Sequence, residues 1–137
     1  MEIFKAPKRT RITSAKIINS LIAKDSRERR NEANVTMESL AVLFGENKQV
    51  LHKAEAGINQ VHLGKYLAII HFLRETCENH PAHVLIDAVG RKGLESMIAD
   101  DRPTARLGGF LDAIDLTRDA CPNHPALPLA NYFLYQR

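Results

Sequence analysis

Apolar residues recur along most of the chain at spacings of three and four positions, and strict alternation of apolar and polar residues is rare. The first pattern places apolar side chains on one face of an α-helix, whereas alternation is typical of a half-buried strand. The sequence therefore predicts an all-α fold, a compact helical bundle with almost no strand.

The first predicted helix lies in TSAKIINSLIAK, with Thr13 or Ser14 as its N-cap. Its apolar face consists of Ile17, Ile18, Leu21 and Ile22. The stretch that follows, 24–35, has no apolar stripe. It is either a polar continuation of this helix or an exposed connector.

Two short helices and a longer one are expected next. Thr36 and Asn47 are suited to cap the starts of the short helices, and Gly45 and Gly57 are suited to close their ends. The longer helix begins near residue 63 and ends before an Asn-His-Pro step, because a helix rarely continues through the residue that precedes proline.

Residues 63–82 return as 107–126, with ten of the twenty positions identical. The identical pairs are Leu63/Leu107, Gly64/Gly108, Leu67/Leu111, Ile70/Ile114, Arg74/Arg118, Cys77/Cys121, Asn79/Asn123, His80/His124, Pro81/Pro125 and Ala82/Ala126. The order of elements also repeats over about 36–81 and 82–125, with a short helix closed by Gly90 in the second copy. A last helix in LPLANYFLYQR would cover the core or a partner.

The 137 residues are 45% apolar, enough to bury the core of one compact domain or of two small ones that share a core. No apolar run reaches the roughly 18–20 residues needed to cross a bilayer, and the first residues lack the apolar segment of a signal peptide. We therefore expect a cytoplasmic protein without a membrane partner. Residues 1–65 carry a net charge of +5 and residues 66–137 one of −2, so the front half favours a polyanion partner.

A set of residues with a fixed mutual spacing lies between positions 30 and 73: Thr36, Leu40, Ala41, Gly45, Leu51, Glu55 and Gly57. By this set the stretch resembles the helix-turn-helix of the lambda-repressor-like, or XRE-type, DNA-binding family, over about one third of the chain. The resemblance implies a rigid pair of helices, the second of which enters the major groove of DNA. It also implies a structural ion pair between Arg30 and Glu55.

By the same resemblance, Lys48 and Gln49 are the base-reading residues, with His52 and Lys53 one turn further along the helix. Lysine can donate to O6 and N7 of guanine, and glutamine can pair with N6 and N7 of adenine. The alternative for these four side chains is a solvated helix face in a protein-interaction module.

Thr36 and Asn47 are expected to hold phosphates, helped by the helix N-termini behind them. The basic N-terminal arm, with Lys8, Arg9 and Arg11, would lie along the DNA backbone or enter a minor groove. Two positions depart from the family pattern. Met37 replaces a phosphate-holding glutamine, and Glu46 follows the turn glycine, where an acid repels phosphate.

Cys77, His80, Cys121 and His124 would suit a tetrahedral zinc by ligand type. However, the same residues in each copy are also expected for purely structural reasons: a helix end, a buried thiol and a capping Asn-His-Pro turn. No phosphate-binding glycine loop follows a strand, and neither cysteine has an evident activating partner. We therefore expect neither a metal nor another cofactor, and no enzymatic activity.

The chain is accordingly divided into 1–35, a basic arm and first helix; 36–81, the helix-turn-helix unit; and 82–137, a degenerate second copy with a C-terminal helix. The expected function is that of a bacterial or phage-type transcriptional repressor that binds double-stranded DNA. A homodimer would supply two reading helices. Dimer or partner contacts are expected from the second copy through Phe110, Leu111, Tyr132, Phe133 and Leu134. The alternative is an antitoxin-like or antirepressor-like helical interaction module without DNA readout.

Overall fold

The computed structural model describes residues 10–136, in which seven α-helices are found. They are α1 (Ala15–Glu32), α2 (Met37–Phe44), α3 (Lys48–Glu55), α4 (Leu63–Phe72), α5 (Ala82–Ala99), α6 (Leu107–Leu116) and α7 (Leu127–Leu134). Two 3₁₀ turns, Arg74–Thr76 and Pro103–Ala105, precede α5 and α6. The predicted all-α fold is confirmed. Within the described range, no helix is long and apolar enough to span a bilayer.

The chain ends carry two short strands that the hydrophobic pattern does not predict. β1 (Thr10–Arg11) pairs antiparallel with β2 (Tyr135–Gln136). Strands of two residues are too short to show alternation, so they leave no periodic signal in the sequence. Their pairing fastens the end of the N-terminal arm to the end of α7.

The structure decides between the two interpretations of residues 24–35. Ser14 caps α1, with its hydroxyl oxygen 3.4 Å from the Ile17 N–H, and the helix continues through the polar stretch to Glu32. Asp25 and Ser26 are buried in this stretch even though they are polar. The inward face of α1 therefore extends beyond its apolar residues, and two residues of the predicted apolar face, Ile17 and Leu21, are instead 50% and 36% exposed.

Two apolar clusters hold the helices together. The larger one draws on both halves of the chain, with side chains from α1, α4, α5, α6 and α7. The smaller one joins α2 and α3 to α4 and consists of Leu40, Ala41, Leu51, Ile69 and Leu73. Since α4 contributes to both clusters, it connects the α2–α3 pair to the rest of the molecule.

Burial corrects the contact surface expected in the second copy. Leu111, Phe133 and Leu134 are at most 3% exposed and belong to the larger cluster. They pack α6 and α7 against the rest of the core, so they are not available to a second chain. Phe110 is half-buried, and Tyr132 is 44% exposed with its hydroxyl bonded inside the fold.

The repeated histidines have the same structural role in both copies. Nδ1 of His80 accepts a hydrogen bond from the Ala82 N–H at 3.0 Å, and Nδ1 of His124 accepts one from the Ala126 N–H at 3.0 Å. Within residues 10–136, no three His, Cys, Asp or Glu side chains gather where they could hold a metal ion. The His-Pro-Ala turn is thus common to both copies, but the buried thiol expected in each is not, because Cys77 is only partly buried and Cys121 is exposed.

The repeated arginines also act alike. The Arg74 guanidinium donates to both carboxylate oxygens of Asp87 at 3.0 Å. The Arg118 guanidinium donates to the side-chain oxygen of Asn131 at 2.8 Å. Asp87 and Asn131 occupy equivalent positions of the repeat, on α5 and α7. In each copy, the arginine at this position of the repeat therefore binds a side chain of the helix that follows.

The two copies meet at equivalent positions. His62 and Arg106, which precede α4 and α6, form an isolated antiparallel β-bridge. Beside it, the Leu107 N–H donates to the Val61 carbonyl at 2.9 Å. An antiparallel pairing between equivalent residues places a local pseudo-two-fold axis between the copies.

The copies differ at their first helix pair. Gly45 ends α2 in the left-handed conformation, with φ 63° and ψ 32°, and a capped turn leads into α3. Gly90 has φ 70° and ψ −179°, and helical residues continue on both sides of it within α5. This backbone is not helical, so the two short helices predicted around Gly90 are present and meet there at a kink. The second copy lacks the turn that separates α2 from α3.

A buried carboxylate joins four segments of the bundle. Asp25 on α1 accepts hydrogen bonds from the Tyr66 hydroxyl on α4 at 2.6 Å and the Tyr132 hydroxyl on α7 at 2.7 Å. The His80 Nε2 lies 3.0 Å away and donates as well, because Nδ1 accepts from Ala82. Burial raises the pKa of the carboxyl, but these hydrogen bonds outweigh burial and hold the pKa of Asp25 below its ordinary value.

Gly64 and Gly108 occupy the same position of the repeat, but their surroundings differ. A Cβ at Gly64 would lie 2.4 Å from the backbone of Met97 and Ile98, whereas at Gly108 the nearest atom, on Ile18, is 3.9 Å away. We expect Gly64→Ala to lower the free energy of unfolding by about 1–3 kcal/mol because backbone must move. Gly108→Ala should change it by less than about 1 kcal/mol. Urea unfolding followed by circular dichroism compares the pair, and equal effects would contradict this packing.

Asp25→Asn should lower the free energy of unfolding at pH 7 by about 2–4 kcal/mol, because the amide cannot accept all of these donors and the Arg29 guanidinium, 3.5 Å from Oδ1, loses its ion pair. A carboxyl whose pKa is depressed in the fold stabilises the protein above its unfolded pKa of about 3.9 and loses this effect as the pH falls through the folded value. The difference between wild type and variant should therefore shrink below about pH 4 in urea titrations. Asp101→Asn, at an exposed position, is the control and should behave as wild type.

Candidate functional site

The α2–α3 pair begins with local signals that the sequence carries. The Thr36 hydroxyl oxygen accepts the Ser39 N–H at 3.2 Å and caps α2. The Asn47 side-chain oxygen accepts the Gln49 N–H at 2.8 Å and caps α3. Between them, Gly45 supplies the left-handed residue that the turn needs. Both helices are therefore bounded by the residues that the sequence predicts as caps.

Apolar packing sets the angle of this pair. Leu40, Ala41 and Leu51 are at most 7% exposed and contact Ile69 of α4 and Leu73, which caps its end. The α2–α3 pair is consequently packed against α4 on one side, and its opposite side faces solvent.

An ion pair locks α3 to α1. The Arg30 guanidinium donates to both oxygens of the Glu55 carboxylate, at 2.6 and 2.8 Å, and also to the Val35 carbonyl at 2.9 Å. The bidentate geometry fixes orientation as well as distance. The hydrogen bond to Glu55 is the main cause that raises the pKa of Arg30. The pair expected from the sequence is present, and α3 cannot rotate about its own axis without breaking it.

The solvent face of α3 is polar and carries no carboxylate. Lys48, Gln49, His52 and Lys53 are all exposed on it. The one acidic residue of α3, Glu55, is 8% exposed and is held by Arg30. The structure therefore brings the four predicted base-reading residues together on one surface.

Two acids of the neighbouring segments are already paired with lysines. The Glu38 carboxylate lies 2.6 Å from the Lys48 ammonium, and a hydrogen bond from Lys48 lowers the pKa of Glu38. Glu46, expected to repel phosphate, contacts the ammonium of Lys65 and has a side chain only 20% exposed. The charge of Glu46 is thus neutralised within the fold.

The two residues expected to hold phosphates are exposed, but part of each side chain is already in use. The Thr36 hydroxyl bonds Ser39, and its oxygen caps α2. Asn47 uses its side-chain oxygen as a cap and keeps its amide N–H groups free to donate. Both side chains lie at the N-termini of their helices, where backbone dipoles favour an anion.

The predicted arm residue Arg11 is held against α6 by ion pairs. Its guanidinium contacts the Asp112 carboxylate and donates to Asp115 at 2.8 Å, both on α6. Asp115 also accepts from Arg118 and Tyr135. Arg11 is thus placed on α6, with its charge balanced by two aspartates. Lys8 and Arg9 lie outside the described residues.

The second copy does not present an equivalent face. Arg91 and Lys92 are exposed in the second half of α5, at the place that corresponds to the start of α3. Arg91 pairs with Glu95 at 3.3 Å, however, so this half-helix carries its own acid on the same surface. Of the two copies, the first has the cationic helix face.

Comparison of the sequence with protein-family models, with curated proteins and with solved structures gives no match. The functional interpretation therefore depends on the geometry of the chain itself.

Three residues near the start of α4 were not singled out by the sequence. His62 caps α4, Lys65 lies in its first turn, and Arg106 reaches them through the bridge between the copies. The sequence signal for this proximity is that His62 and Arg106 are equivalent in the repeat. Apart from this equivalence, the residue types at these positions do not indicate that they lie close together.

Proposed function

We propose that the protein is a sequence-specific double-stranded DNA-binding regulator that uses α3 as its reading helix. The observation that carries the proposal is the exposed, carboxylate-free face of α3 with Lys48, Gln49, His52 and Lys53. Such a face is attracted to phosphates and offers donors to base edges. The regulator acts by occupying an operator in the cytoplasm, where it represses transcription.

The support behind α3 suits this role. A reading helix must hold its orientation in the groove, because base contacts depend on the position of each donor. Here, Leu51 packs against α2 and α4, and Glu55 is held by Arg30 through two hydrogen bonds. The resemblance to the lambda-repressor-like helix-turn-helix agrees with this arrangement and is part of the proposal.

Base readout begins at the N-terminal end of α3. Lys48 and Gln49 lie in its first turn, the part of a recognition helix that contacts bases. Lys48 must exchange Glu38 for DNA. This exchange is possible because both side chains are more than half exposed, at 53% and 63%, and exposed ion pairs are weak. Thr36 and Asn47 then fix the register on phosphates.

One such helix covers only a few base pairs, and the second copy supplies no equivalent face. We therefore extend the proposal to a two-fold homodimer on a palindromic site, with half-sites about one helical turn apart. Because Leu111, Phe133 and Leu134 are buried, the dimer contact must use other residues of the second copy.

The first test measures binding to random-sequence duplex by fluorescence anisotropy at about 50 and 200 mM salt. Four phosphate contacts would weaken binding about a hundredfold between these concentrations. Absence of binding at about 50 mM salt would sink the proposal, and a helical interaction module would then be the better interpretation. A selection from random duplexes supplies the specific site.

The second test replaces Lys48 and Gln49 together by alanine. The double variant should lose its preference between the selected site and random duplex, because the side chains that reach base edges are gone. Lys92→Ala removes the same charge from the second copy and should keep the preference. Circular dichroism should show unchanged helix content in both variants. An unaltered preference in the double variant would refute the assignment of these two residues.

A further inference from the structure

A cavity of about 520 Å³ lies between α3, α4 and the loop that joins them. Its size falls in the range of small-molecule binding sites, which is about 300–1,000 Å³. The cavity is on the inner side of α3. It is therefore separate from the exposed face that carries Lys48 and Gln49.

One part of the cavity is apolar. Leu51, Val61 and Ile69 are 6–7% exposed and form part of its lining. Val50 and Ile58, also in the lining, are 45% and 69% exposed. Exposed apolar side chains around a concave surface are typical of a ligand site.

The other part carries an unbalanced positive charge. Lys65 and Arg106 both line the cavity near the start of α4, and Lys65 is paired with Glu46. Within residues 10–136, no carboxylate forms an ion pair with Arg106. Burial lowers the pKa of Lys65, and the nearby Arg106 guanidinium lowers it further. An anion placed here would relieve the repulsion between the two cations.

The remaining charges of the lining do not cancel Arg106. Glu55 is held by Arg30, and one oxygen of Glu46 contacts Lys65, while the other oxygen of Glu46, Oε2, is buried without a hydrogen-bond partner. His62 is engaged on both ring nitrogens, with the Lys65 N–H on Nδ1 and the Asp100 carbonyl at Nε2. One cation, Arg106, is therefore left for a ligand with a single negative charge.

We propose that this cavity binds a small amphipathic monocarboxylate, with its apolar chain against Leu51, Val61 and Ile69 and its carboxylate on Arg106. A guanidinium can hold a carboxylate by two parallel hydrogen bonds. The bound chain also touches Val50 and Ala54 of α3 from behind. This proposal does not depend on the proposed DNA binding. Its test uses the protein without DNA, so either proposal can fail without the other.

The test titrates octanoate into the isotope-labelled full chain and follows the amide resonances by NMR. We expect saturable shifts of the amides of Ala54, Ile58, Val61 and Lys65. Octan-1-ol, which has the same apolar chain without the charge, should bind more weakly. Arg106→Gln should weaken octanoate binding roughly tenfold, as expected for the loss of a charge-assisted contact.

Two further variants keep the result interpretable. Arg91→Gln removes the same charge from a side chain that is 92% exposed and outside the cavity, and it should bind octanoate as wild type does. Ala54→Leu fills the cavity without changing charge and should abolish binding. Equal affinities for octanoate and octan-1-ol, unchanged binding in Arg106→Gln, equal weakening in Arg91→Gln, or the absence of saturable shifts at these amides would each overturn the proposal.

Discussion

The carboxylate of Asp25 is the constraint on which the arrangement of the bundle depends. It is buried on α1 and accepts hydrogen bonds from α4, from α7 and from the turn before α5. A buried charge is tolerated only when all its donors are in place, so these segments must assemble together. The same helix carries Arg30 little more than one turn further on, and Arg30 holds Glu55. The position of α3 is therefore tied, through α1, to the C-terminal helix.

Much of the fold could be predicted because its signals are local. The caps Ser14, Thr36 and Asn47 and the turn residue Gly45 act on neighbouring backbone, and the structure uses all four. The polar part of α1 could not be assigned, because an apolar stripe does not show that Asp25 will be buried by distant donors. The β1–β2 pair and the contacts of Arg11 join residues from opposite ends of the chain. The spacing of apolar and polar residues along the chain does not show which distant residues will pair.

For the candidate site, too, some features could be predicted from the sequence and others could not. The exposure of Lys48, Gln49, His52 and Lys53 follows from their spacing relative to Leu51, and the structure places them as that spacing predicts. Their electrostatic surroundings do not follow from spacing. That Glu46 turns inward to Lys65 depends on how α4 lies beside the turn. The sequence identifies which side chains face solvent, but the charges that meet them come from other helices.

The bridge between His62 and Arg106 joins equivalent points of two copies within one chain. Two separate chains, each with one copy, would form the same contact only as far as their concentration allowed. Covalent linkage makes the pairing intramolecular, with an effective concentration set by the connecting residues and not by expression level. It also removes the requirement that both copies stay alike. The backbone of α5 can then pack tightly against Gly64 while Gly108 is less closely packed. In the same way, one copy can keep a cationic helix while the other supports it.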